Sequence, residues 1–155
     1  MGSTMSKAKN LQTGHVGLNV TDLDRSLAFY REVFDFDVMA EGKEDDRLWA
    51  FLGRDNRLLV TLWQQSEGSF AADRPGLHHL SFQVDTVEEV RATEEVLRGL
   101  GTEFSYDGVV PHGENASSGG IFFADPDGTR LEIYAPTGAD PADAPTTGAP
   151  TCGFF

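Results

Sequence analysis

Apolar residues alternate with small or polar ones in HVGLNV (15–20) and again in HLSFQV (79–84). That two-residue period predicts strands with one greasy face, over 14–20 and 78–84. Each run leads into a segment with apolar positions every three to four residues. In the first, Thr21 and Asp22 offer caps for a helix to about Phe34, with Leu23, Leu27, Tyr30 and Val33 or Phe34 on one side. In the second, Asp85 with Glu88 three residues on has capping-box spacing, and a helix over 86–99 carries Val87, Val90, Val96 and Leu97 or Leu100. Gly101 ends it. Three strand-like runs follow each helix: FDVMAEG, RLWAFLG and RLLVTLWQ, then TEFSYDGVV, GGIFFAD and TRLEIYAP. Turn residues at Gly42, at 53–56 (GRDN) and at 125–128 (DPDG) separate them.

Both halves therefore read strand–helix–strand–strand–strand, an internal repeat that predicts an α+β fold with a pseudo-two-fold axis. The modules span 13–65 and 77–136 of one domain over 13–136. Residues 1–12 read as a disordered start. Residues 137–155, rich in Pro, Gly, Ala and Thr, read as a flexible tail, its closing Phe154 and Phe155 included.

Composition narrows the partners. With 155 residues there is room for one packed core. Twelve Lys and Arg against 25 Asp and Glu give a net charge of −13, which repels phosphate backbones and anionic lipid, so neither nucleic acid nor membrane is expected as a partner. No apolar run approaches a membrane span of about 20 residues, and no signal-peptide core is present, so the cytoplasm is the expected location. The one cysteine, Cys152, excludes an internal disulfide and a cysteine-based zinc site.

Strand parity then sorts the polar residues. Val16, Leu18 and Val20 form the greasy side of the first strand, and Leu80, Phe82 and Val84 that of its twin. His15, Gly17 and Asn19, like His79, Ser81 and Gln83, share the opposite, cavity-facing side. On the last strand Arg130, Glu132 and Tyr134 have the same parity. Two imidazoles at matching positions plus one carboxylate make a ligand set for a divalent metal. His78 falls on the helix side or strand edge and reads as structural or as a support for a neighbouring ligand. Phe51, Trp63 and Phe122 are candidates for an aromatic wall around a small-molecule substrate.

HVGLNVTDLDRSLAFYREVFDFDV, GLHHLSFQVDTVEEV and FFADPDGTRLEIYAP together resemble the vicinal oxygen chelate superfamily, which includes glyoxalase I, bleomycin-resistance proteins and extradiol dioxygenases. The resemblance covers 13–136. It implies two βαβββ modules paired into a curled, half-open mixed sheet, helices outside, around a metal that chelates two adjacent substrate oxygens. The family's metal positions carry over onto His15, His79 and Glu132, and a homodimer is implied. Glyoxalase I has a further carboxylate on the last strand of the first module, where this chain has Leu59 or Thr61. That departure favours Fe(II) and an extradiol-type dioxygenase over Mn, Ni, Co or Zn and an isomerase, epimerase or lyase. An extradiol resemblance further implies His112 as the acid–base group, the alternative being a solvated loop histidine, with Phe122 where such enzymes carry Tyr. Epimerase-like chemistry needs a carboxylate base, for which Glu114 is the acidic residue of that loop. A metabolite- or antibiotic-sequestering protein is the rival from another class.

Overall fold

The computed structural model describes residue 5, residues 7–145 and residues 148–153; Phe154 and Phe155 lie outside the described residues. Strand β1 (Val16–Val20), helix α1 (Leu23–Phe34) and strands β2 (Asp37–Glu44), β3 (Arg47–Arg54) and β4 (Arg57–Gln64) make the first module. Strand β5 (Leu80–Gln83), helix α2 (Val87–Gly99) and strands β6 (Val110–Pro111), β7 (Gly119–Ala124) and β8 (Arg130–Ala135) repeat the order. The sheets run β1-β4-β3-β2 and β5-β8-β7-β6, with β1–β4 and β5–β8 parallel and the other pairings antiparallel. The chain thus contains two four-stranded mixed sheets, and β1 and β5 are edge strands.

Capping chemistry sets the helix starts. The Asp22 carboxylate accepts from the Arg25 N–H and begins α1. The second helix starts one residue later than its pattern predicts. Thr86, not Asp85, is the cap: its hydroxyl accepts from the Glu89 N–H, and Glu89 accepts in return from the N–H groups of both Asp85 and Thr86. On α2 the buried residues are Val90, Glu94 and Leu97, whereas Val96 and Leu100 face solvent.

The greasy strand faces pack on the helices as expected. Leu18, Val20, Ala50, Leu52, Val60 and Leu62 meet α1, and Leu80, Ile121, Phe123, Leu131 and Ile133 belong to the same continuous core. Phe34 joins the halves, its ring centroid 4.6 Å from Phe82 and 6.2 Å from Phe123. A polar latch reinforces this joint. The Asp125 carboxylate accepts from the Asp127 and Thr129 N–H groups within its own turn and from the Tyr30 hydroxyl of α1 at 2.8 Å. Beside it, Asp127 takes the Thr21 hydroxyl and the Arg25 guanidinium.

This latch gives stability a pH dependence. Burial holds the Asp125 carboxyl above its ordinary 3.8, outweighing the hydrogen bonds that favour its charge. A carboxyl raised in the native state binds more protons there than in the unfolded chain. Its stabilising contribution is complete below 3.8 and is lost as pH rises through the native value. Urea titrations should therefore show wild type losing stability relative to Asp125→Asn on moving from acid toward neutral pH, by up to about 1.4 kcal/mol per pH unit. Wild type gaining stability relative to Asp125→Asn as pH rises would contradict this origin.

One expectation changes after α2. The strand predicted over TEFSYDGVV shrinks to a single bridge, Phe104 with Phe123, and the two residues of β6. Gly108 turns at φ +69°, drawing the chain off the sheet edge. In the segment read as a flexible tail, the described residues include 3-10 turns at Pro141–Asp143 and Thr151–Gly153, and Thr151 is wholly buried.

Candidate functional site

Glu132 points from the middle of β8 to the side away from α2 and is buried at 3% exposure. A carboxylate removed from water needs partners, and two imidazoles supply them. The His112 Nε2 lies 2.5 Å from Glu132 Oε2, and the His79 Nε2 lies 3.7 Å from Glu132 Oε1. His79 stands one residue before β5 and His112 one residue after β6, so the strand pairings β5–β8 and β6–β7–β8 bring three distant positions together. Phe122, paired with Glu132 across β7 and β8, forms the buried floor. The Tyr134 ring lies 4.9 Å from that of His112, and its hydroxyl donates to Gln83.

The other His112 ring nitrogen, Nδ1, is 2.8 Å from the Ser118 hydroxyl. Ser118 belongs to a stretch whose pattern suggests only a flap or a strand entry, so nothing local marks it as a partner. His78 is exposed, with its Nδ1 2.8 Å from the His79 Nδ1 and its Nε2 3.5 Å from Arg130. Desolvation lowers the His79 pKa, and His78, Arg130 and His112 lower it further, while Glu132 pulls the other way. The balance favours neutral imidazole, the form that offers a lone pair.

The remaining sequence-derived residues lie elsewhere. His15 is exposed, one residue before β1. Thr61 and Trp63 project from β4 and Phe51 from β3 on the face opposite α1, with Phe51 and Trp63 ring centroids 6.1 Å apart and the Trp63 N–H donating to Thr61. Asn19 is exposed and accepts from Gln65. Ser81 is exposed on the wall of a groove of about 630 Å³ between the modules, which is lined by Val16, Phe34, Leu59 and Phe82 but by neither His79 nor Glu132. The candidate residues therefore divide into an acid–imidazole cluster on the second sheet and an aromatic face on the first. Glu114 accepts from the Gly148 N–H and does not join the cluster.

Of the three expected metal donors, two stand side by side: the His79 Nε2 is 3.7 Å from Glu132 Oε1, too long for a hydrogen bond. The third, His15, is not with them: among the described residues of one chain, no three His, Cys, Asp or Glu side chains are arranged to hold a metal.

Two βαβββ modules packed on one continuous core define a fold class, and comparison with known proteins agrees. Residues 12–133 match the Glyoxalase/Bleomycin resistance protein/Dioxygenase superfamily, and the chain belongs to it, within the vicinal oxygen chelate fold. A glyoxylase/bleomycin resistance protein/dioxygenase domain from Frankia sp. EAN1pec is 29% identical, with a TM-score of 0.71 over 83% of this chain and 99% of that one. The Listeria monocytogenes fosfomycin resistance protein FosX, solved with Mn(II) and 1S,2S-dihydroxypropylphosphonic acid, shares the fold at 22% identity and a TM-score of 0.62, over 81% of this chain and 93% of its own. Catechol-2,3-dioxygenase of Bacillus subtilis is 27% identical over 124 residues, 79% of this chain, which spans 40% of that protein's length. None of the described helices is long and apolar enough to cross a membrane.

Proposed function

We propose that this protein is a divalent-metal-dependent enzyme acting on a small molecule with two vicinal oxygens, and that it works as a homodimer. One observation carries the reading: a buried carboxylate, Glu132, with an imidazole nitrogen at each oxygen. His79 and Glu132 would hold the ion, and His15 of a second copy would complete the set. Support for the second copy comes from the separation of His15 from the other two, from its exposure, and from the edge positions of β1 and β5. A face-to-face pairing of the first sheet with the second sheet of a partner would also cover the aromatic face of Phe51, Thr61 and Trp63.

A divalent ion held by these residues would supply Lewis-acid stabilisation of negative charge on the substrate oxygens. The side chains do the rest. Phe122 and Tyr134 exclude water from one side of the cluster, and Phe51 and Trp63 of the partner would flatten a planar substrate from the other. His112, oriented by Ser118 at Nδ1, can hold or release a proton at Nε2 beside the substrate. Two histidines and one carboxylate suit Fe(II), and we favour an extradiol-type dioxygenase; Mn, Ni, Co or Zn would fit an isomerase, epimerase or lyase. The similarity to catechol-2,3-dioxygenase supports the first of these.

An aerobic assay of several catechols with Fe(II)-loaded protein tests the activity. Yellow ring-cleavage product with matching oxygen uptake is expected. Neither product nor uptake across the panel would remove the dioxygenase reading and leave the isomerase and lyase assays. Substrate-like binding that is indifferent to chelator would instead favour a sequestering protein.

A further inference from the structure

The geometry points to a positioning role for the C-terminal segment 148–153: it is a strap that holds His112 against Glu132, with Thr151 as its anchor. A segment reading APTCG has no means of ordering itself, since Pro lacks an N–H and Gly and Ala offer little to pack. Its order must come from what it touches. Thr151 is completely buried, and each of its polar groups has a partner. The N–H donates to the His112 carbonyl at 3.0 Å, the hydroxyl donates to the Pro111 carbonyl at 2.7 Å, and the carbonyl accepts from the Tyr106 hydroxyl at 3.0 Å.

These contacts fall on the backbone that carries the imidazole. On one side the His112 N–H donates to the Ser118 carbonyl at 2.9 Å, and on the other its carbonyl receives Thr151. The strap is thus an extra rung along the outer edge of β6, a strand of only two residues. Two more stitches fix the loop that follows: the Gly148 N–H donates to Glu114 at 2.8 Å and the Ala139 N–H to the Ser117 carbonyl at 2.9 Å. Tyr106 ties the strap to the floor, its ring set edge-on to Phe122 at 5.4 Å. The loop containing Gly113, Glu114 and Asn115 is thus tied at Glu114 and Ser117 to the chain that follows β8.

This inference rests on the proposed function only in placing His112 at the site, and its structural content can be measured without activity. The test compares wild type, Thr151→Ser, Thr151→Val and a chain ending at Ala149, all metal-free, by long-range nitrogen–proton correlation of the His112 ring. Glu132→Gln serves as the control for the His112–Glu132 contact. Wild type and Thr151→Ser should give the same ring signature. Thr151→Val should move it toward that of Glu132→Gln, and the shortened chain should reach it, with backbone spectra of the β8 core unchanged. Turnover of Thr151→Val should fall about tenfold in kcat with KM held, and Thr151→Ser should rescue it. Identical His112 ring signals in all four chains would overturn the strap, as would an unchanged kcat. The expected ring shifts in a protein that binds no metal would sink the enzymatic reading while leaving the strap standing.

Discussion

Glu132→Gln should abolish stoichiometric metal binding and lower turnover on the order of 100-fold or more while leaving the fold intact. Altering a residue that merely supports a ligand costs about 10–100-fold in affinity or activity, and a donor atom itself should cost at least as much. Gln matches the shape of the carboxylate and keeps one acceptor, so Phe122 and Tyr134 retain their packing. What it removes is the negative charge between His79 and His112. Burying that charge has a desolvation cost, so the variant should melt within a few degrees of wild type or slightly above it. Metal analysis after dialysis against trace Fe(II) or Mn(II), beside a melting curve, measures both. Full metal content in the variant would remove Glu132 from the ligand set.

The second large effect is on stability. Phe34→Ala should cost about 3–5 kcal/mol, the range for truncating a buried aromatic residue. At this chain length that corresponds to a melting temperature lower by about 10 °C. Phe34 is 6% exposed and stacks on Tyr30 and Phe36 of its own module while touching Phe82 and Phe123 of the other. Its ring is the apolar counterpart of the Tyr30–Asp125 latch. Urea unfolding should remain a single transition with its midpoint lowered. A loss under about 1 kcal/mol would mean that the modules do not depend on this cluster for their joint stability.

Most of the architecture is written in local periodicity. The two-residue alternation around Leu18 and Phe82 and the helical spacing from Leu23 to Phe34 depend on neighbours in the sequence, so the repeat and the greasy faces could be read directly. The cap of α2 slipped by one residue because Asp85 and Thr86 are both competent caps, and only the reach of Glu89 back to two N–H groups separates them. Val96 fits the spacing of an apolar stripe, yet the turn of α2 against β7 and β8 buries Val90, Glu94 and Leu97 instead.

The site was legible in part. Parity put Glu132 and Tyr134 on one face of β8, and the structure brings His79, His112 and Phe122 to the same face. It could not show that Phe51, Thr61 and Trp63 stand on a separate sheet, because parity orders residues within a strand and says nothing about which sheet they meet. The role of Thr151 was hidden for a related reason. Its partners are the carbonyls of Pro111 and His112, about forty positions away, and every backbone offers carbonyls whatever its sequence.

The proposed function requires one ion shared between copies, with His79 and Glu132 from one chain and His15 from the other. Co-expressing His15→Ala chains with Glu132→Gln chains tests it most directly, since each variant alone should hold no metal. In a mixed dimer one site carries both defects and the other carries neither, so random pairing should restore about one quarter of the wild-type metal content and turnover. No recovery in mixtures shown to contain the mixed dimer would contradict the shared site.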